Sequence, residues 1–194
     1  MKHHQYNPNY NFVKAPVDFN KYTDRELLQY CLGATMYMPG TKDFAQAVID
    51  RKYPGLTSMV MCFEDACKEE DVPAAEINCI HVLDTLADCV NNGTLEYEDI
   101  PLIFFRVRSV EQFKHFASML KPRHIKYLCG FNFPKFNSLT AAPYMEHLVE
   151  LNAKFGEIIY GMPIIEDSRV AYKETRLLEL MAIKNVCDCH KKLV

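Results

Sequence analysis

Five apolar, β-rich runs alternate with amphipathic helical patterns along the chain, and each run closes on a polar or turn-forming motif. The runs cover 35–38, 56–63, 100–107, 125–133 and 157–165. They end in Met38-Pro39-Gly40-Thr41, Phe63-Glu64-Asp65-Ala66, Phe105-Arg106-Val107-Arg108-Ser109, Asn132-Phe133-Pro134-Lys135-Phe136 and Pro163-Ile164-Ile165-Glu166-Asp167. Between them, apolar residues recur at helical spacing. Phe44, Ala47 and Val48 predict one helix, broken by Pro54-Gly55, and Ile77, Ile80, Leu83, Ala87 and Val90 predict another over 72–90, stopped by Asn92-Gly93. Ser109 and Gln112 form a capping box ahead of Phe113, Phe116 and Leu120. Pro143 falls in the first turn of a helix carrying Met145, Leu148 and Leu151 inward and ending at Gly156. A last helix is expected from a Ser168 cap through Val170, Leu177, Leu178 and Met181. Earlier, Thr23 and Glu26 predict a capped helix carrying Leu27, Leu28 and Leu32, and Thr41 a cap for the helix that follows the first strand.

Strand-then-helix repetition predicts an α/β fold with a parallel sheet, and such folds keep their active sites at the strand C-termini. Residues 1–22 lack periodicity and carry Pro8 and Pro16, so they are expected as an irregular arm ahead of one domain over 23–194. The adjacent His3 and His4 belong to that solvated start.

Composition narrows the function classes. The 194 residues are 49% hydrophobic and 24% charged with a net charge of −3, an ordinary globular balance that does not favour nucleic-acid or anionic-membrane binding. No apolar run approaches the roughly 20 residues that span a bilayer, and the first thirty residues are not an apolar secretory segment, so a cytoplasmic location is expected. Several of the eight cysteines fall inside predicted strands or helices, which makes them small core residues rather than a disulfide framework. Cys187-x-Cys189-His190 has the look of half a metal clip, but no second ligand pair follows it.

The strand ends carry the candidate chemistry. Glu64 and Asp65 close an otherwise apolar strand, and two carboxylates there cost desolvation unless they meet a cation, donors or water. Arg106 and Arg108 leave the third strand two residues apart and so share a face; they suit capture of a small carboxylate or, equally, an internal ion pair with Glu64 or Asp65. Lys135 is either simply solvated or steers anions into the mouth. Glu166 fits a Mg²⁺ ligand, because Mg²⁺ is held by one or two carboxylates plus waters and substrate oxygens.

Taken in order, these motifs resemble the aldolase superfamily of citrate lyase β-subunits and malyl-CoA lyases, and within it the TIM-barrel C–C bond lyases of bacterial stress and tellurite-resistance gene clusters. The resemblance spans about residues 25–182. It implies a (β/α)₈ barrel in which Mg²⁺, or Mn²⁺ in its place, holds a 2-oxo acid or enolate at the C-terminal rim. It makes Arg106 the catalytic, carboxylate-binding arginine and Glu166 the metal ligand, with Glu64 and Asp65 as groups standing behind the metal. Arg108 takes the place of an asparagine, and Lys135, in the retained Pro134-Lys135 pair, joins it in substrate binding. The family is homo-oligomeric, and whether the acyl group rides on coenzyme A is left open.

About five of eight βα units fit into the chain, whereas the family draws a second metal carboxylate, an aspartate, from a sixth strand. Asp188 lies in no strand pattern and does not inherit that role. The expectation is therefore a C-terminally truncated, partial barrel with an incomplete site. A non-catalytic partial barrel that binds a carboxylate or pairs with another chain is the second expectation. A complete five-stranded doubly wound domain is the third, weakened by the lack of a phosphate loop after the first strand.

Overall fold

The computed structural model describes residues 9–194; His3 and His4 lie outside them. One helical turn, α1 (Arg25–Leu28), precedes β1 (Met36–Pro39) and α2 (Ala45–Ile49). Then follow β2 (Ser58–Cys62) and α3 (Val72–Asn91), β3 (Leu102–Arg106) with α4 (Val110–Met119) and α5 (Pro122–Ile125), and β4 (Leu128–Phe133) with α6 (Ala141–Phe155). Last come β5 (Tyr160–Pro163), α7 (Ser168–Ala171) and α8 (Lys173–Cys189). The five strands are all parallel and lie in the order β1-β2-β3-β4-β5. A doubly wound flavodoxin-type sheet would run 2-1-3-4-5, so the sequential order excludes that expectation and makes this a partial barrel of the (β/α) type.

Strand alternation splits the core in two. Met59, Met61, Phe63, Ile103, Phe105, Phe131 and Phe133 point outward, where Phe113, Phe116, Leu83, Leu148 and Tyr144 from the helices cover them. The rings interlock: Phe113 meets Phe131 at 4.7 Å and Phe133 at 5.2 Å between centroids. Full burial of one such ring is worth about 2–3 kcal/mol. The inner face carries Val60, Leu102, Phe104 and Cys129, covered by Phe19 and by Leu28 of α1. With both faces covered, β2, β3 and β4 are buried at every position.

One irregularity sets the site. β3 and β4 pair Ile103 with Leu128 but Phe104 with Gly130, so Cys129 is the extra residue of a bulge. Continuous pairing from Ile103 and Leu128 would oppose Arg106 with Phe131; the shift opposes it with Asn132. A one-residue slip exchanges the faces of a strand, and here it brings a polar side chain to the inner layer of Arg106.

Local signals were answered unevenly. Ser109 Oγ accepts from Gln112 N at 3.2 Å, and Gln112 Oε1 reaches back to the N–H of Arg108 at 2.9 Å. Gly156 closes α6 in the left-handed region, as its position predicted. Thr23 does not cap: Asp24 does, accepting from Glu26 N at 3.0 Å, while Thr23 Oγ1 takes the N–H of Asn20. Thr41 is likewise replaced at the start of α2, where Asp43 Oδ1 accepts from Gln46 N at 3.3 Å. Asp167 rather than Ser168 caps the element after β5, and the expected single helix breaks at Tyr172 into α7 and α8. On α3 the buried stripe runs through Ala75, Cys79, Val82, Leu83 and Leu86, whereas Ile77 is exposed. Two residues on from Ala75, it is turned about 200° away from the sheet. Leu177, Leu178 and Met181 of α8 are also exposed, and the helix buries Glu179 and Ile183 instead. All eight cysteines are free. Among the described residues, no helix is long and apolar enough to cross a membrane.

Candidate active site

The polar strand ends meet above the inner face of the sheet. Arg106 is the last residue of β3 and is almost wholly buried. Its Nη2 lies 2.5 Å from Glu64 Oε2, 3.0 Å from Asp65 Oδ2 and 3.0 Å from Glu166 Oε1. The internal ion pair that the sequence allowed is therefore present, and it includes Glu166 as well. Burial works against the arginine's charge, but Glu64 and then Glu166 outweigh it and hold the Arg106 pKa above its ordinary value. The three carboxylates differ in depth: the side chain of Glu64 is 6% exposed, that of Glu166 35% and that of Asp65 68%.

Lys135 ties two of these groups together. Its Nζ donates to Glu64 Oε1 at 2.7 Å, and its backbone N–H donates to Glu166 Oε1 at 3.0 Å. The hydrogen bond to Glu64 raises the Lys135 pKa. The backbone there is left-handed, with φ 48°, a conformation that costs a non-glycine residue about 1–3 kcal/mol. The turn after Pro134 uses that geometry to aim both donors of one residue at the acidic group.

Arg108 stands on the same side of the cleft, but its Nη1 faces backbone carbonyls, Phe63 O at 3.1 Å and Cys67 O at 3.2 Å. It thus holds the loop that carries Glu64 and Asp65. Behind it Gln112 links the Arg108 N–H to buried Glu76, with Nε2 donating to Glu76 Oε1 at 2.7 Å. Glu64, Asp65, Cys67, Arg108 and Lys135 line an open cleft of about 370 Å³. A smaller cavity of about 150 Å³ is lined by Leu28, Leu32, Phe104, Cys129, Tyr160 and Met162 among others, and is mostly apolar.

Two contributors were not legible as site residues. Asn132 Nδ2 donates to Tyr37 Oη at 2.9 Å, a chord from β4 to β1 across the inner face. Asn132 Oδ1 is buried without a hydrogen-bond partner. The one available signal was an asparagine inside the apolar run Gly130-Phe131-Asn132-Phe133. Elsewhere, Asn137 Nδ2 donates to Asp167 Oδ2 at 3.0 Å, and Asp167 pairs with Arg169. Those bonds, chiefly the one from Arg169, draw the Asp167 pKa down to about 2 and commit it to capping. Asp188 lies on α8, paired with Lys184 and Lys191 away from the cleft.

Among the described residues, no three His, Cys, Asp or Glu side chains stand as a ready-made metal cage. Cys187 and Cys189 therefore form no such group. At the rim the carboxylates converge on a guanidinium instead.

One comparison agrees with the sequential parallel strands. No curated protein sequence matches the chain. The family model for C–C bond lyases of the TIM-barrel fold matches residues 26–194, which takes in all five strands and every residue of the rim. The chain belongs to that family of C–C bond lyases.

Proposed function

We propose that the chain acts as a divalent-cation-dependent lyase of the citrate lyase and aldolase type, on a carbon–carbon bond next to a 2-oxo acid or enolate. The observation that carries this reading is the convergence of Glu64, Asp65 and Glu166 on Arg106, with Lys135 beside them, at the strand ends of a C–C lyase-family chain. The donor set suits Mg²⁺ or Mn²⁺: every group is a hard carboxylate oxygen, and buried Glu64 Oε2 has no hydrogen-bond partner. Glu166 would hold the cation, with Glu64 and Asp65 completing the acidic group around it. A cation held there supplies positive charge beside the oxygen on which negative charge develops as the bond breaks.

The chain's own residues do the rest. Arg106 fixes the substrate carboxylate and so aligns the breaking bond. Arg108 and Lys135 add positive charge to the cleft wall, and the Arg108 latch keeps Glu64 and Asp65 from drifting. The Tyr37–Asn132 chord adds a hydrogen-bonded polar pair to the inner face, with Asn132 paired opposite Arg106. Calorimetry with Mg²⁺ and oxaloacetate tests the reading. Measurable binding is expected, with Glu166→Ala and Arg106→Ala each abolishing it. Binding that survives both changes would overturn the assignment.

A second reading is favoured by one observation, the exposure of Leu177, Leu178 and Met181 on α8. Such a face marks a surface that another chain covers, and the partial barrel would then act as a carboxylate-binding or self-pairing module. Light scattering decides it: a monomer at all accessible concentrations removes this reading.

A further inference from the structure

The contacts around Arg106 carry more than a substrate-binding role. Nη2 has two hydrogens, and they go to Asp65 Oδ2 and Glu166 Oε1, both at 3.0 Å. Glu64 Oε2 comes closest, at 2.5 Å, yet receives no hydrogen and has no other donor. Three acceptors therefore crowd one nitrogen that can serve two. Buried Nε also lacks a partner, so the guanidinium enters the acidic group end-on by one nitrogen, and its two-nitrogen fork is unused. Two of the three carboxylates are also held independently of the arginine: Lys135 Nζ pins Glu64 and the Lys135 N–H pins Glu166, while Asp65 is held by Arg106. Within ion-pair distance of one another, three carboxylates face two cations, and the third cation of the cleft, Arg108, is turned to backbone carbonyls.

We propose that Arg106 Nη2 occupies the place of a divalent cation among Glu64, Asp65 and Glu166. The arginine and the cation compete for the same carboxylates, and cation binding releases the guanidinium to the substrate carboxylate. This rests on the lyase reading above and adds an order to it. A cation has no donor count to satisfy, so it can accept the Glu64 oxygen that the guanidinium leaves unpaired. Once freed, Arg106 can present its fork to a carboxylate, so the 2-oxo acid binds after the cation. In its absence the arginine keeps the acidic group closed against anions.

The test is Mn²⁺ binding without substrate, followed by electron paramagnetic resonance of the free ion. Arg106→Gln removes the competitor and is expected to bind Mn²⁺ at least tenfold more tightly than the natural chain, although it loses oxaloacetate binding. Arg106→Lys keeps a competing cation and is expected to stay within about threefold of the natural chain. Equal or weaker Mn²⁺ binding by a folded Arg106→Gln variant overturns the competition and leaves the lyase reading standing. Absence of Mn²⁺ binding in every form overturns the metal assignment and this inference with it. A second measurement needs no change in fold: in the ¹⁵N-labelled natural chain, the Arg106 Nε–H resonance, assigned by its loss in Arg106→Lys, should shift and saturate with Mg²⁺. A resonance that does not respond while Mg²⁺ binds would refute release of the guanidinium.

Discussion

Gly130→Ala is the sharpest probe of how the fold builds the site. Gly130 sits immediately after the bulged Cys129 and pairs with Tyr160 of β5. A Cβ placed on it would lie 2.2 Å from Tyr160 O and 2.8 Å from Tyr160 C. Both are backbone atoms of a paired strand, so no rotamer change relieves the overlap. Ordinary contact needs about 3.4 Å, which requires the two strands to part by about 1 Å and stretches the ladder hydrogen bonds between them. Overpacking costs about 1–3 kcal/mol, and a backbone obstacle places this case at the top of that range, about 3 kcal/mol. With a urea slope of about 2 kcal/mol/M, the unfolding midpoint should fall by about 1.5 M. Gly93→Ala is the control. There φ is 79° with nothing within 4 Å of the new Cβ, so only left-handed strain of about 1–2 kcal/mol applies and the midpoint should fall about half as far. Since the bulge also brings Asn132 beside Arg106, oxaloacetate binding should weaken in Gly130→Ala under conditions where it remains folded. A midpoint no lower than that of Gly93→Ala would refute the argument from close approach.

Other consequences follow from particular side chains. Lys21 is buried with its Nζ donating to Ile125 O at 2.5 Å, and desolvation lowers its pKa from 10.5 to about 8. Between pH 8 and 10.5 the unfolded chain therefore holds more protons than the folded one, and stability relative to Lys21→Met should rise across that window by about 3 kcal/mol. A flat or falling difference in urea titrations would contradict it. Arg108→Gln strips the carbonyls of Phe63 and Cys67 of their donor, and should cost about 1–3 kcal/mol while amide exchange at 64–67 accelerates; unchanged exchange there would remove the latch role. Phe113→Ala empties the centre of the outer aromatic layer and should cost about 3–5 kcal/mol by urea denaturation, and a loss under 1 kcal/mol would show that the layer repacks.

The fold was legible because its signals are local and repeated. Each apolar run at 56–63, 100–107 and 125–133 holds a strand buried on both sides, and each Pro, Gly or charged end lies where a strand stops. Caps were less legible because Thr23, Thr41 and Ser168 each stand one or two residues from an aspartate, and the carboxylate took the exposed N–H in all three places. The phase of α3 was misread at Ile77 because an amphipathic helix offers two overlapping apolar stripes, and only the sheet selects one. The meeting of Arg106, Glu64, Asp65, Lys135 and Glu166 was legible from strand ends, since β-strands of one sheet bring their ends together whatever lies between. Tyr37 and Asn132 were not, because their meeting depends on a one-residue bulge at Cys129 that no residue type announces.

The same layer also collects the molecule's unfavourable features. Of the four buried side-chain polar atoms without hydrogen bonds among the described residues, three belong to Glu64, Arg106 and Asn132. Each such atom costs about 1–3 kcal/mol, and the left-handed backbone of Lys135 adds a comparable amount. Stability alone would not retain this arrangement, since well-packed apolar replacements of buried ion pairs are often neutral or stabilising. The outer core of Phe63, Phe105, Phe113 and Phe131 is packed ring on ring, and the fourth such atom, His147 Nε2, belongs to a ring set edge-on against Phe113. The contrast separates two jobs within one sheet. The outward face holds the fold together, and the inward rim keeps donors and acceptors open at a cost in stability, as the proposed binding of a cation and a carboxylate requires.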